Sequence, residues 1–220
     1  MTTSPGRQAV VLALAQATGR AVALLDETYS VEPGLARRFY AMTAVVVQLG
    51  EVEGLRRGLV ARVPSGYWHT SEALRTASGR VDAERLVGYL ADPTGSEACV
   101  LAVRVPVERD DATGEGPRRA CLVRLARELS SGQSPEGQVG LFILERRRVA
   151  TQRNLDAAIR ATAVADGILD PRVRLLQVSP SDEPLLWLPD LVCSAWRLEL
   201  LRSDPTLFEP LRSMTRVVRA

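Results

Sequence analysis

The chain has 220 residues, of which 46% are hydrophobic, and a formal net charge of +2, values typical of one large domain with a substantial core. The small net charge gives no general attraction to polyanions. All 28 basic residues are arginines, which keep their charge and bind phosphates through two parallel hydrogen bonds. Because lysine is absent, Schiff-base and pyridoxal-lysine chemistry are excluded.

The cysteine and histidine content argues against a secreted protein and against a zinc site. With a single histidine, His69, and no CxxC pair, zinc sites of the usual His/Cys kind are nearly excluded. The three cysteines are far apart in apolar contexts, which indicates reduced, buried thiols in a cytoplasmic protein: Cys99, Cys121 and Cys193.

No membrane partner is expected, since no apolar stretch approaches the roughly 20 residues that span a bilayer. Residues 7–17 faintly imitate a signal peptide, but their apolar core is short. A short amphipathic helix that ends at Gly19 is the more economical interpretation.

The first half of the chain alternates between predicted helices and strands. Apolar spacing predicts helices over 8–18, 50–63 and 81–91, and β-branched or continuous apolar runs predict strands over 21–26, 39–48 and 98–107. A polar turn region is expected over 28–38, and a short extended piece over 67–69.

The second half continues the same alternation. Helices are predicted over 118–130, 154–166 and 184–202, and strands over 138–144 and 174–178, with exposed loops at 109–117 and 132–137. Strands that alternate with helices of this length indicate an α/β domain with a largely parallel sheet. We therefore expect one domain over 1–203, in which 1–19 is an N-terminal helical extension, followed by an amphipathic tail over 204–220.

Several carboxylates lie at positions where active sites form in such a fold. Asp26 follows the first strand and Glu145 follows the fourth, and active residues in open α/β sheets lie beyond the carboxyl ends of strands. Asp190 lies in the apolar C-terminal helix, where an unpaired carboxylate is costly. His69 and Glu72 form a further candidate pair three residues apart.

Convergent oxygen ligands without cysteine suit hard cations such as Mg²⁺ or Mn²⁺. Simpler interpretations stay open for each residue. Asp26 is also compatible with a solvated loop, Glu145 with a salt bridge to the arginines that follow it, and Asp190 with the dipole at a helix N-terminus. Glu27 is expected to point away from Asp26, because side chains alternate along a strand.

Several motifs in order resemble a known family. An apolar strand ends in Asp26-Glu27, an aromatic-led strand begins at Arg38-Phe39-Tyr40, a His-x-x-Glu piece follows, and a late helix carries Asp190-Leu191-Val192. This order is similar to the DUF3800 family of bacterial and phage proteins over roughly residues 20–200.

The resemblance implies a three-layer, ribonuclease-H-like α/β domain, with a mixed sheet of about five strands and helices on both faces. It also implies metal-binding acids, and it places the family's acidic and histidine motifs at five residues: Asp26, His69, Glu72, Glu145 and Asp190. Five residues, at three places in the sequence, depart from the family pattern. Thr28-Tyr29 replaces Ser-Gly, Glu145 replaces Asp, and Trp187 and Pro189 flank Asp190 where Gln and Ala are usual.

Two functions follow as hypotheses. The first is a metal-dependent nuclease or phosphodiester hydrolase in which Asp26, Glu72, Glu145 and Asp190 hold Mg²⁺ or Mn²⁺ and His69 orients water or a phosphate. Arginine clusters would then contact the phosphates of a nucleic acid: Arg37-Arg38, Arg118-Arg119 and Arg146-Arg147-Arg148.

The alternative is a catalytically inactive α/β module that acts through protein contacts. Its tail carries apolar residues that could dock a protein partner or a second copy of the chain: Leu207, Phe208, Leu211, Met214, Val217 and Val218. Serine hydrolase and nucleotide-loop chemistry are not indicated, since no Gly-x-Ser-x-Gly, Walker or GxGxxG motif is present.

Overall fold

A computed structural model describes residues 4–30, 38–63, 65–92, 94–108, 111, 113–130 and 137–220 of the protein. These residues form a six-stranded sheet with helices on both faces. The strands are β1 (Ala21–Ser30), β2 (Phe39–Gln48), β3 (Ala98–Arg104), β4 (Val139–Glu145), β5 (Arg174–Val178) and β6 (Thr215–Arg219). The α-helices are α1 (Pro5–Ala15), α2 (Val52–Arg62), α3 (Thr70–Ala73), α4 (Ala77–Leu90), α5 (Glu115–Ser130), α6 (Ala150–Ala165) and α7 (Trp187–Arg202), and 3₁₀ turns cover Pro184–Leu186 and Glu209–Met214.

The strands lie in the order β5-β4-β1-β2-β3-β6. β1, β2 and β3 form an antiparallel meander, whereas β4 runs parallel to β1, β5 to β4, and β6 to β3. The sheet is therefore mixed, as the family resemblance implies. It is not the largely parallel sheet that the alternation of elements predicts, because no described helix intervenes between β1 and β2, which pair as antiparallel neighbours.

Two apolar layers cover the sheet because successive side chains of a buried strand point to opposite faces. On one face Val22, Leu24 and Val45 pack with α1, α2, α4 and α7. On the other face Leu25 and Met42 pack with α5 and α6. The predicted single, three-layer α/β fold is confirmed.

Two glycines bring the start of β1 against β4. A Cβ atom on Gly19 would lie 2.4 Å from the backbone nitrogen of Gly140, and one on Gly140 would lie 2.2 Å from that of Gly19. Neither position has room for a side chain, so the close backbone approach requires glycine at both. The register of β1 against β4 then shifts between Ala21 and Val22, after which Leu24 pairs with Ile143 and Leu25 with Leu144.

The C-terminal segment belongs to the fold. Residues 204–220 were expected to form a tail, but Thr215–Arg219 is the edge strand that pairs with β3, which brings the sheet to six strands instead of about five. Leu207, Phe208 and Leu211 are buried in the layer that holds α7. Val217 remains 55% exposed. The N-terminal helix is likewise packed, since Val10 is buried in the same layer.

Two further findings bear on the sequence predictions. All three cysteines are free and buried, as expected for thiols in apolar contexts. Among the described residues, no helix combines the length and apolar character needed to cross a membrane.

Candidate functional site

Asp26 and Glu145 lie next to each other in two parallel strands. Glu145 is the last residue of β4, but Asp26 lies within β1, which continues to Ser30 and does not end at residue 26 as predicted. The register of β1 and β4 pairs Leu24 with Ile143 and Leu25 with Leu144, so the next residues in line are Asp26 and Glu145. Leu24 and Ile143 both face the layer that contains α7. Because side chains alternate along each strand, both carboxylates point toward that same face.

Helix α7 brings Asp190 to these strand ends. Its position over the sheet is fixed by Cys193, whose thiol donates to the backbone carbonyl of Asp26 at 3.3 Å and to the hydroxyl of Thr43 at 3.2 Å. Asp190 lies in the first turn of α7, about one turn before Cys193 on the same side of the helix. Asp190 is therefore near enough to Asp26 for its charge to raise the pKa of that acid.

Asp190 is held by the segment that contains the histidine. One carboxylate oxygen accepts a 2.8 Å hydrogen bond from the backbone N–H of Thr70, the first residue of α3. The same oxygen lies 4.0 Å from Nδ1 of His69, and the hydroxyl of Ser194 donates weakly to the other oxygen at 3.5 Å. Asp190 thus joins α7 to the His69 segment while its side chain stays 21% exposed.

The carboxylates destabilise one another as anions. Burial, followed by the nearby charges of Glu27, Asp190 and Glu145, raises the pKa of Asp26 well above its ordinary value. Partial burial of its carboxyl group, with the charges of Glu27 and Asp190, also raises the pKa of Glu145, and His69 and Arg148 oppose that shift. Glu145 is the last residue of its strand and is exposed as a whole, so its shift owes less to burial than that of Asp26.

Glu27 faces the opposite side of the sheet, as strand alternation predicts. There it forms a 2.5 Å ion pair with Nη1 of Arg118. Arg118 is 2% exposed and also donates from Nε and Nη2 to the two oxygens of Asp156, at 2.8 and 2.9 Å. Burial lowers the pKa of Arg118, but its hydrogen bonds to Asp156 and the charge of Glu27 outweigh that effect and leave the pKa raised.

Arg118 is therefore an internal counter-ion, and its predicted role as a phosphate contact is wrong. The sequence analysis also missed Asp156. One signal was available: Asp156, Ile159 and Ala163 share helical spacing, and all three are buried on one face of α6. A carboxylate on an apolar face needs a buried cation, and Arg118 in α5 supplies it.

The arginine triplet after β4 divides into two kinds of residue. Arg147 is only 15% exposed and pairs with Glu115, with Asp156 at 3.8 Å. It is thus part of the internal network, and its predicted contact with a phosphate stays a prediction. Arg146 and Arg148 are exposed, and in the described part of the chain neither forms an ion pair with Glu145. Of the other predicted clusters, Arg37 lies outside the described residues.

A cleft opens beside the strand ends. It has a volume of about 460 Å³, and we call it the strand-end cleft. Its lining combines the acids, the arginine triplet and two tyrosines with the start of α5: Asp26, Glu27, Tyr29, Tyr40, Thr113, Gly114, Glu115, Arg118, Glu145, Arg146, Arg147, Arg148, Val149 and Gln152.

Glu72 lies apart from the strand-end acids. It borders a second cleft with Tyr67 and His69, and it interacts with the phenol of Tyr67. Burial, followed by the charge and hydrogen bond of Glu72 and the charges of Asp190 and Glu145, raises the pKa of Tyr67. The phenol of Tyr67 is therefore near enough to Glu72, Asp190 and Glu145 for their charges to raise its pKa, and the sequence did not predict this residue as part of the site.

The carboxylate oxygens of Asp26, Glu145 and Asp190 are ligands of the kind that a hard cation prefers, although these side chains are not arranged as a closed metal site. Within the residues that the structure describes, no group of three or more His, Cys, Asp or Glu side chains is arranged to hold a metal ion. The charges of Asp190 and Glu145 nonetheless raise the pKa of Asp26, and the charge of Asp190 also raises the pKa of Glu145. Oxygen donors with mutual repulsion are the chemistry that a divalent cation relieves.

Comparison with known proteins adds no assignment. The sequence matches no protein-family model, and no curated protein is significantly similar to it.

Proposed function

We propose that the protein is a divalent-metal-dependent phosphodiester hydrolase that acts on nucleic acid, with Asp26, Glu145 and Asp190 as the metal ligands. The main support is that Asp26 of β1 lies beside Glu145 at the end of β4, near Asp190, with the pKa of both strand acids raised in part by their neighbours. A bound cation would stabilise the ionised form of all three groups.

Each residue has a distinct part in this proposal. Asp26 is fixed by its strand, and Asp190 is fixed by its hydrogen bond from Thr70. Glu145, exposed and one methylene longer than Asp, is the ligand that adjusts its rotamer to close the site. Mg²⁺ or Mn²⁺, when bound, would activate water and stabilise the leaving oxygen. Glu72 pairs with Tyr67 and is not assigned as a ligand.

His69 is placed to act on the substrate and not on the metal. Its side chain is 49% exposed and Nδ1 lies 4.0 Å from Asp190. The hydroxyl of Ser71 lies 3.2 Å from the same nitrogen. The imidazole is thereby oriented beside the acids, where its other nitrogen can hydrogen-bond to a water or a phosphate oxygen. The resemblance to the DUF3800 family agrees with this assignment.

The alternative of a module that acts through protein contacts has less support. Its motivation was the apolar C-terminal segment, and Leu207, Phe208 and Leu211 are used in the chain's own core. The apolar surface that this segment offers to a partner is thus reduced mainly to Val217.

Calorimetric titration of Mn²⁺ and Mg²⁺ tests the proposal directly. Wild-type protein is compared with the variants Asp26→Asn, Glu145→Gln and Asp190→Asn, each of which keeps the shape of the side chain and removes its charge. We expect binding by wild type, a loss of affinity of at least about tenfold in each variant, and metal-dependent cleavage of RNA or DNA by wild type alone.

Glu51→Gln is the matched control. Glu51 is an exposed acid that follows the end of β2, near the start of β1 and thus at the opposite end of the strands from Glu145. Its side chain caps no helix. Its loss should leave metal affinity unchanged. Folded wild-type protein that binds neither metal, or that binds metal equally well in all three site variants, would overturn the proposal.

A further inference from the structure

Two arginines of the strand-end cleft remain available after the internal pairs are formed. Glu27 and Asp156 neutralise Arg118, and Glu115 pairs with Arg147. The guanidinium groups of Arg146 and Arg148 are exposed, and neither makes a hydrogen bond or ion pair with any residue that the structure describes. The cleft thus presents two cations beside the carboxylates of the proposed metal site.

The same cleft contains a rigid aromatic surface. The rings of Tyr29 and Tyr40 stack with centroids 5.6 Å apart and planes inclined by 6°. Tyr40 is 3% exposed and its hydroxyl accepts a hydrogen bond from Arg118 at 3.3 Å. Tyr29 is 50% exposed, and Arg197 donates to its backbone carbonyl at 2.6 Å. One tyrosine is therefore anchored, and the other offers an aromatic surface to the solvent.

From this arrangement we infer that the strand-end cleft binds single-stranded nucleic acid, with a base stacked on Tyr29 and the adjoining phosphates on Arg146 and Arg148. The inference rests on the proposed function, since it names the substrate class of that site, but the binding itself needs no metal. An aromatic ring next to free guanidinium groups is the arrangement by which proteins hold single strands without reading their sequence.

A duplex fits these contacts poorly. In a double helix the faces of each base are covered by its neighbours, so a protein ring cannot stack on them without unpairing the strand. A base in a single strand has a free face and can lie on Tyr29. Stacking on Tyr29 and phosphate contacts with the two arginines do not involve a 2′-hydroxyl, so the ligand chemistry is shared by single-stranded RNA and single-stranded DNA.

The start of α5 is not the phosphate site, although it lines the cleft. The carboxylate of Asp111 already accepts from the backbone N–H groups of Gly114 and Gly116, at 2.8 and 3.2 Å. Those backbone donors are occupied. We therefore assign the phosphate contacts to Arg146 and Arg148. Tyr29 is thus expected to contribute stacking with a base, and Arg146 and Arg148 are each expected to contribute one phosphate contact.

Fluorescence anisotropy in EDTA tests this binding without metal or cleavage. The probes are labelled 12-mers of oligo-U and oligo-dT, with a 12-base-pair duplex for comparison. We expect wild type to bind at least one single strand more tightly than the duplex. Tyr29→Ala should weaken single-strand binding by about 5- to 150-fold, the range for loss of one stacked base, and Tyr29→Phe should not.

Arginine variants give a second readout. Arg148→Gln should lower the slope of log affinity against log salt by about 0.7, the value for one phosphate contact with a single strand. Arg57→Gln, which removes an exposed arginine on α2, is the control and should leave the slope unchanged. Tyr29→Leu, which still covers Tyr40 with an apolar side chain, replaces Tyr29→Ala if the latter does not fold.

The outcomes separate this inference from the proposed function. Tyr29-dependent binding in EDTA by a protein that never binds metal would support the inference and leave the hydrolase proposal overturned. Metal binding and cleavage with full retention of single-strand affinity in Tyr29→Ala or Tyr29→Leu would overturn the inference alone. Equal affinity for duplex and single strand, or no binding of either single strand in EDTA, would also overturn it.

Discussion

The carboxylate of Asp190 accepts a 2.8 Å hydrogen bond from the backbone N–H of Thr70, across 120 positions of sequence. It acts as a cap for α3, whose own N-cap residue His69 makes no side-chain cap. One residue of α7 therefore fixes the segment that carries the only histidine. This contact gives Asp190 a structural role as well as the proposed metal-binding role, and variants can separate the two.

Asp190→Asn and Asp190→Ala are expected to differ in stability but not in metal binding. Asparagine still offers an oxygen to the Thr70 N–H, whereas alanine leaves it unpaired and costs about 1 kcal/mol. Both variants lose the charge and should bind Mn²⁺ at least about tenfold more weakly. Urea unfolding and calorimetry measure the two effects. Equal stability of the two variants would contradict the capping role.

Asp26→Asn should stabilise the metal-free protein at pH 7. The folded state raises the pKa of Asp26 above its ordinary value of 3.8, so ionising this group costs stability. That cost is absent below pH 3.8, grows as the pH rises, and is complete above the folded-state pKa. We expect a Tm increase of about 2–4 °C, which corresponds to about 1 kcal/mol in a chain of this size.

Thermal melts between pH 4 and pH 8 check this expectation. The difference between Asp26→Asn and wild type should shrink toward the acid end of the range, because the wild-type carboxyl is then protonated as well. Glu51→Gln is again the control. A difference that grows as the pH falls would contradict the raised pKa.

Metal affinity should increase with pH in wild-type protein. Asp26 and Glu145 both have raised pKa values, and a cation must displace the protons that they retain. Between pH 5 and pH 8 we expect tighter Mn²⁺ binding and proton release that falls as the pH rises. Calorimetry in buffers of different ionisation enthalpy measures the released protons. Asp26→Asn should bind weakly with a flatter pH dependence, and an unchanged dependence would count against the assignment.

Arg118→Met should destabilise the protein strongly. It leaves the buried Asp156 without the arginine that donates to both of its oxygens, and breaking a buried pair on one side costs about 3–5 kcal/mol. The double variant Arg118→Met/Asp156→Leu removes both charges and should recover most of that loss. Urea unfolding of both variants tests the coupling. A double variant no more stable than the single one would contradict it.

The C-terminal segment should behave as part of the core. Leu211 is fully buried, so Leu211→Ala is expected to cost about 2–5 kcal/mol. Val217→Ala changes a side chain that is 55% exposed and should stay within about 0.5 kcal/mol of wild type. Equal effects of the two substitutions in urea unfolding would contradict the packing of this segment.

The sequence was most informative where the signal is local. Five strands and the main helices lie close to their predicted positions, because apolar periodicity and buried runs depend on neighbouring residues. Glu145 was assigned to the end of its strand for the same reason, whereas β1 runs beyond Asp26 to Ser30. The opposite orientation of Glu27 followed from the alternation of side chains along β1.

Local signals failed where two distant segments meet. The sixth strand was missed because the edge position of Thr215–Arg219 depends on β3, more than a hundred residues earlier. The pairing of Arg118 with Asp156 and of Arg56 with Glu183 was missed because nothing local shows which arginine finds which acid. Arg147 was assigned to a phosphate for the same reason.

The sequence by itself thus determined the α/β fold class, the strands that carry Asp26 and Glu145, and the opposite orientations of Asp26 and Glu27. Only the tertiary structure decided which charged side chains form ion pairs with each other and which do not. The physical reason is that a buried charge must be neutralised by whichever opposite charge the chain topology brings beside it. In this protein that choice leaves Asp26, Glu145, Arg146 and Arg148 at one end of the sheet.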